Sequence, residues 1–138
     1  MADTDADLRH ILTTVKTIAV VGWSPKADRP SNNVARFLRA RGYRVIPVNP
    51  GQVGVDSDLG ELVRASLTDI GETVDLVDIF RRSEEVGPVV DEAVAIGAGV
   101  VWMQLGVIND AAADVARKAG LKVVMNRCPA IEMPRLRL

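Results

Sequence analysis

The sequence predicts an α/β fold in which five strands form a Rossmann-like, doubly wound parallel sheet within a single domain, residues 1–138. Three observations indicate this fold. Short apolar runs alternate along the chain with segments whose apolar residues recur at helical spacing. The runs are apolar at nearly every position, so each strand needs cover on both faces, which alternating helices supply. With 138 residues and 48% hydrophobic side chains, the chain is long enough for one core and too short for two full domains.

The chain opens with a predicted helix and strand. Leu8, Ile11 and Leu12 lie at helical spacing within residues 5–15, and the nearly all-apolar run 17–22 follows. Residues 23–30 contain two prolines and several polar residues, which is typical of a loop.

A second helix and strand come next. Helix 31–41 has Ser31 as its expected N-cap and stops at Gly42, and the strand is 44–48. Pro47 lies inside that strand and has no N–H for the sheet, so we expect a local bulge or an unpaired position there.

The remaining sequence repeats the strand and helix unit. After a short helical turn at 66–70, strands are predicted at 74–80, 100–103 and 121–125. Helices 84–97 and 109–119 separate them, with Ser83 and Asn109 as N-caps, and residues 126–138 are left as a tail. Right-handed crossovers that reverse after strand three produce the strand order 3-2-1-4-5, while the flavodoxin-like order stays open.

Charge and composition exclude several classes of protein. Seventeen Lys and Arg against eighteen Asp and Glu leave a net charge of -1, so no global field draws the chain to nucleic acid or an anionic membrane. Because the N-terminus is acidic and no long uncharged apolar stretch occurs, we expect a cytoplasmic protein without a leader or membrane span. The sequence has no His, Cys, Asp or Glu cluster at metal-ligand spacing, so no metal site is predicted.

The ligand site of such a sheet lies at the carboxyl ends of the strands, where the strand order reverses. The loops there are 22–31, 49–52, 80–83 and 103–109. They hold many of the chain's cations and hydrogen-bond donors: Gly22, Ser24, Lys26, Arg29, Ser31, Asn49, Arg81, Arg82 and Gln104. We therefore expect an anionic ligand, with phosphate at the start of the helix near Ser31.

A dinucleotide is the obvious candidate, but its glycine fingerprint is incomplete. Gly22 is followed by Ser24 and Ala27 where the second and third glycines belong. The second strand also ends without the acidic residue that binds the ribose of NAD. These two observations disfavour a nicotinamide cofactor, which is kept as an alternative.

A set of short motifs, in order, resembles a known family: Val21-Gly-Trp-Ser24, Arg29-Pro-Ser31, Gly42-Tyr-Arg-Val-Ile-Pro-Val-Asn-Pro50, Val74-Asp-Leu-Val-Asp78, Phe80-Arg81, Trp102-Met-Gln-Leu-Gly106 and Asn126-Arg-Cys-Pro129. Together they resemble the stand-alone CoA-binding proteins, which are similar to the N-terminal CoA-binding domain of the succinyl-CoA synthetase alpha subunit. The resemblance covers about residues 8–132 and implies a Rossmann-like domain with CoA across the carboxyl ends of the strands.

The resemblance also implies roles for individual residues. The turn Gly22-Trp23-Ser24 meets the CoA phosphates, and Asn49-Pro50 lies along the nucleotide. Phe80 packs against the ligand while Arg81 and Arg82 supply charge to the phosphates, and Met103-Gln104 approaches the pantetheine arm.

Two positions depart from the synthetases. Gln52 stands where they carry a lysine, and Ser24-Pro25-Lys26 replaces their glycine-rich loop. They also need a phosphorylated histidine on a second domain, so we expect no ligase activity here.

Four residues have competing interpretations. Trp23 lies in a loop, where its ring either stacks on adenine or only packs against the protein. Trp102 lies within a strand and is expected in the core. Cys128 is either a small buried hydrophobe or a thiol that exchanges with CoA. His10, the only histidine, is expected at the surface away from the site.

The sequence therefore favours a non-catalytic module that binds CoA or acyl-CoA, with no catalytic residues predicted. Two enzyme alternatives stay open: an NAD(P)-dependent oxidoreductase and a protein that transforms acyl-CoA. A pure interaction domain with a vestigial site is the third alternative.

Overall fold

The computed structural model describes residues 4–138, and its helices and strands alternate as predicted. The strands are β1 Thr17–Val21, β2 Arg44–Val48, β3 Leu76–Ile79, β4 Val100–Met103 and β5 Lys122–Val124. The helices are α1 Asp5–Thr14, α2 Pro30–Ala40, α3 Val86–Ala95, α4 Asp110–Lys118 and α5 Pro129–Arg135. Short 3-10 turns lie at 50–52, 67–69 and 83–85. Helix α5 lies in the segment that was predicted to be a tail.

All five strands form one parallel sheet with the order β2-β1-β3-β4-β5. This confirms the doubly wound Rossmann-like α/β fold, but among these five strands the order is 2-1-3-4-5 rather than 3-2-1-4-5. The reason is a short segment at Arg64. It lies along the outer side of β2 and pairs with Val48 through a single parallel bridge. That segment occupies the place of the third strand of a Rossmann sheet, and counting it restores the order 3-2-1-4-5-6.

Pro47 causes no bulge, since the register between β1 and β2 is unbroken and pairs Val20 with Pro47. The carbonyl of Pro47 accepts a hydrogen bond from the N–H of Arg64 at 3.0 Å, on the outer side of β2. The N and C=O of one residue in a parallel strand face the same neighbour, so the missing N–H of Pro47 also faces outward. The ladder between β1 and β2 therefore loses no hydrogen bond to this proline.

Helices cover both faces of the sheet, and each face has its own apolar core. Residues of α1, α2 and α5 pack with Ile18, Val20 and Trp102 on one face. Residues of α3 and α4 pack with Ala19, Val77 and Met103 on the other. Trp102 is fully buried, as predicted.

Of the three predicted helix caps, only Asn109 is confirmed; its side chain accepts from the N–H of Ala112 at 3.0 Å. The N-cap of α2 is Arg29, and Ser31 lies inside the helix with its Oγ accepting from the N–H of Ser24. Ser83 begins a 3-10 turn, and its Oγ accepts from the N–H of Ile108. Both hydroxyls therefore tie neighbouring loops to the helices instead of capping them.

Candidate functional site

A cavity of about 720 Å³ lies at the carboxyl ends of β1, β3 and β4. This volume is within the usual range for small-molecule sites. Most of the residues predicted from the sequence line the cavity: Gly22, Ser24, Lys26, Arg29, Ser31, Phe80, Arg81, Arg82 and Gln104. Its position is where the chain reverses direction across the sheet, between β1 and β3.

Gly22 shapes the cavity where β1 ends. Its φ is +86°, and a Cβ at this position would lie 2.2 Å from the carbonyl oxygen of Phe80. Its N–H donates to the carbonyl of Val48 at 2.9 Å. Only glycine allows β1 to turn out of the sheet this close to the backbone of the β3 loop.

Side-chain hydrogen bonds hold the loop after β1 against the start of α2. The N–H of Ser24 donates to Ser31 Oγ at 3.0 Å, and Asn32 Nδ2 donates to the carbonyl of Ser24 at 2.9 Å. Asn49 Nδ2 donates to the carbonyl of Trp23 at 2.8 Å. The loop is therefore pre-shaped before any ligand enters.

The charged residues that line the cavity are all cations. Within residues 4–138, Lys26, Arg29 and Arg81 have no carboxylate partner, and no Asp or Glu lines the cavity. Arg82 is exposed and lies 4.0 Å from Glu85. Unneutralised cations around one concave surface favour an anionic ligand.

Gln104 follows β4 and lines the cavity with an unusual side chain. It is only 6% exposed, and within the described part of the chain its Oε1 has no hydrogen-bond partner. A buried acceptor left unpaired costs about 1–3 kcal/mol. A ligand that donates a hydrogen bond would remove this cost.

Asp78 of β3 is fully buried. It lies two residues before Phe80, on the sheet face that carries Leu76 and Trp102. Both of its carboxyl oxygens lack a hydrogen-bond partner within residues 4–138. Burial raises the pKa of Asp78 well above its usual value, because desolvation favours the neutral carboxyl over the charged one. Asp75 lies outside β3 and accepts from the N–H groups of Lys16 and Thr17, so the two carboxyls do not form a pair.

Four predicted site residues do not line the cavity. Trp23 is 1% exposed and packs in the core beside α1 and α2, so the prediction that its ring stacks on adenine is wrong. Met103 is fully buried in the core on the opposite face. Asn49 is engaged with Trp23 and Gly51, and Pro50 is exposed outside the cavity.

The apolar walls of the cavity consist of residues that were not predicted as site residues: Pro30, Val34, Leu105, Val107 and Ile131. Gln52 and Cys128 also line the cavity. The signal for Cys128 and Ile131 was Cys128-Pro129, since proline favours the first position of a helix, here α5.

Other features bear on the remaining expectations. His10 is exposed on α1. Among residues 4–138 no group of three or more His, Cys, Asp or Glu is placed to hold a metal ion. Within the same residues, no helix combines the length and apolar character needed to span a lipid bilayer.

Comparisons with known proteins agree with this architecture. The chain is 38% identical over 123 residues to the uncharacterized protein YneT of Bacillus subtilis (strain 168), covering 89% of each chain. A structure from Thermus thermophilus is similar with a TM-score of 0.91 and 40% identity, covering 96% of this chain and 98% of that one. A hypothetical protein from Pyrococcus horikoshii OT3 has a TM-score of 0.90 and 40% identity, covering 98% and 93%.

A family model described as a CoA binding domain matches residues 16–134, which include every element from β1 to the last turn of α5. The match takes in all four loops that surround the cavity. The protein therefore belongs to the CoA binding domain family.

Proposed function

We propose that the cavity at the ends of β1, β3 and β4 binds CoA or an acyl-CoA, and that the protein acts as a non-catalytic binding or sensing module. The observation that carries this proposal is that one cavity combines cations without carboxylate partners, a buried amide oxygen without a hydrogen-bond partner, and apolar lining residues. CoA has the same sequence of chemical groups: phosphates, an amide-containing arm and methylene groups.

The cations suit the phosphates. CoA carries about four negative charges, and each charge-assisted hydrogen bond contributes roughly 1.5–3 kcal/mol. Arg29 and Arg81 line the cavity from two different loops, and neither is paired with a carboxylate of the described residues. Two or three such contacts supply roughly 3–9 kcal/mol, against about 8.2 kcal/mol for micromolar binding, so contacts of the pantetheine arm have to supply the rest.

Gln104 suits the pantetheine arm. The arm has amide N–H groups, which are the donors that the Oε1 of Gln104 lacks. Val34, Val107 and Ile131 offer apolar contact for its methylene groups. Inorganic phosphate offers neither amide N–H groups nor methylene groups to these residues.

The non-catalytic role rests on the chemistry of the lining. Within residues 4–138 the lining has cations, hydroxyls, amides and one thiol, and it has neither a carboxylate nor a histidine to act as a general base. The cytoplasmic location stays a prediction.

Thermal unfolding and titration calorimetry with CoA, acetyl-CoA, NAD and NADP test the proposal. We expect CoA or acetyl-CoA to bind in the micromolar range and, at 100 times its dissociation constant, to stabilise the protein by about 2.7 kcal/mol. Tighter binding of NAD or NADP would replace the proposal with the oxidoreductase alternative. No binding of either CoA compound at millimolar concentration would refute it.

A further inference from the structure

We infer that Cys128 is a site of thiol–disulfide exchange, at which CoA disulfide transfers one CoA to the protein as a mixed disulfide. The inference rests on the proposed function and goes beyond it, because it assigns a covalent modification to the same cavity. Cys128 is the chain's only cysteine, is 7% exposed, and lines the cavity together with Arg29, Arg81 and Gln104.

The second observation is Gln104. Gln104 lines the cavity, and its buried Oε1 has no hydrogen-bond partner among residues 4–138, so this side chain offers an acceptor to a ligand that donates a hydrogen bond. If the cations of the lining take the phosphates, the amide-containing arm of CoA, which ends in the sulfur, is the part that supplies amide N–H donors to Gln104. Cys128 is therefore in the same cavity as the reactive end of the ligand.

The backbone around Cys128 is held in place. Trp102 Nε1 donates to the carbonyl of Arg127 at 2.8 Å, which attaches this segment to β4. The carbonyl of Cys128 accepts from the N–H groups of Ile131 at 3.0 Å and Glu132 at 2.9 Å. The position of the thiol beside the cavity is thus set by the fold.

The exchange is balanced without a further oxidant. The thiolate of Cys128 attacks one sulfur of CoA disulfide, and a new S–S bond forms as the old one breaks. One CoA leaves as a thiolate and takes up the proton that the Cys128 thiol gave to solvent. The protein thiol is oxidised and one half of CoA disulfide is reduced.

Burial makes the exchange selective. Cys128 is 7% exposed and lines the cavity, so a disulfide that the cavity binds is held beside the thiol and has an advantage over one that meets it by collision. Glutathione disulfide is also anionic, but it has neither phosphates for the cations nor a pantetheine arm.

The test compares CoA disulfide with glutathione disulfide at equal concentration, followed by intact mass spectrometry. We expect one CoA adduct per chain, formed at least tenfold faster than the glutathione adduct, slowed by excess acetyl-CoA and removed by dithiothreitol. Cys128→Ser, which leaves no other cysteine, should gain no mass. In denaturant the two disulfides should react at similar rates, because the preference belongs to the folded cavity.

Calorimetry with reduced CoA on the same preparation separates this inference from the proposed function. If CoA binds and Cys128 forms no adduct, or reacts equally fast with both disulfides, the exchange site is refuted and the binding site stands. If neither CoA nor acetyl-CoA binds, the proposed function fails, and equal rates for the two disulfides then refute the exchange site as well.

Discussion

Reversal of the charge at Arg81 should weaken CoA binding at least tenfold. Arg81 is partly exposed, lines the cavity and has no carboxylate partner among residues 4–138. A charge-assisted hydrogen bond contributes about 1.5–3 kcal/mol, and partial exposure favours the lower end of that range. A loss of about 1.4 kcal/mol is tenfold in the dissociation constant, and Arg81→Glu adds repulsion between carboxylate and phosphate. Arg29→Glu should have the same direction of effect.

The assay is calorimetric titration of CoA into wild type, Arg81→Glu, Arg29→Glu and a matched control, Arg9→Glu. Arg9 is exposed on α1 outside the cavity and interacts with Asp5 at its own end of the helix, so its reversal changes net charge by the same amount without touching the site. Thermal unfolding of each variant shows that the fold is retained. Titration with 3'-dephospho-CoA identifies the phosphate that is contacted. The loss of affinity caused by the charge reversal is smaller for this ligand than for CoA only if the arginine binds the 3'-phosphate.

Two results would refute the reasoning. If both cavity variants bind CoA with wild-type affinity, neither arginine contacts the ligand. If Arg9→Glu loses as much affinity as Arg81→Glu, then the loss reflects net charge and long-range attraction, and it should disappear at high salt.

Three further predictions concern stability and the inner part of the cavity. Gly22→Ala should lower the free energy of unfolding by about 1–2 kcal/mol for its left-handed backbone and about 1–3 kcal/mol for the contact with the Phe80 carbonyl, measured by urea denaturation. Because burial raises the pKa of Asp78 in the folded state, the folded protein binds one proton more than the unfolded chain above about pH 4. Relative to Asp78→Asn, wild type should therefore lose about 1.4 kcal/mol of its free energy of unfolding per pH unit, from about pH 4 up to the raised pKa. Chemical denaturation at a series of pH values measures this loss. Gln104→Met should leave the ligand-free protein within about 1 kcal/mol of wild type, because it removes an unpaired acceptor, and should weaken CoA binding severalfold in calorimetry.

Each of these has a result that contradicts it. Gly120 has a φ of +90° with nothing within 4 Å of an added Cβ, so Gly120→Ala measures the backbone cost alone. If both glycine variants lose the same free energy of unfolding, the Phe80 carbonyl moves away from the added Cβ without cost. Parallel pH profiles for wild type and Asp78→Asn would show that the buried carboxyl has an ordinary pKa. Unchanged CoA affinity in Gln104→Met would place the pantetheine arm elsewhere.

Much of the cavity was predictable because loops at the carboxyl ends of parallel strands share one edge of the sheet. That rule alone brings together Ser24, Arg29, Arg81 and Gln104, although they are far apart along the chain. The errors came where local signals were weak. Helix α5 is short and holds an internal proline at Pro134, so its sequence does not look helical.

Trp23 shows the limit of reasoning from position in the chain. It directly follows the glycine turn, yet its ring points into the core beside α1 and α2. Which side of a turn a ring occupies depends on the space left by helices that come from other parts of the chain. Ser31 and Ser83 were misassigned as caps for a related reason, since their hydroxyls bind N–H groups seven and 25 residues away.

The order of strands and helices along the chain, the parallel sheet and the edge at which the cavity lies were determined by the sequence itself, because apolar periodicity and crossover handedness are local properties of the chain. Only the tertiary structure decided which donors and acceptors remain unpaired. The unpaired Oε1 of Gln104 and the place of Cys128 in the same cavity both depend on how β4, the segment after β5 and α5 pack together. Hydrogen-bond satisfaction depends on distances between residues remote in sequence, and no local pattern records them.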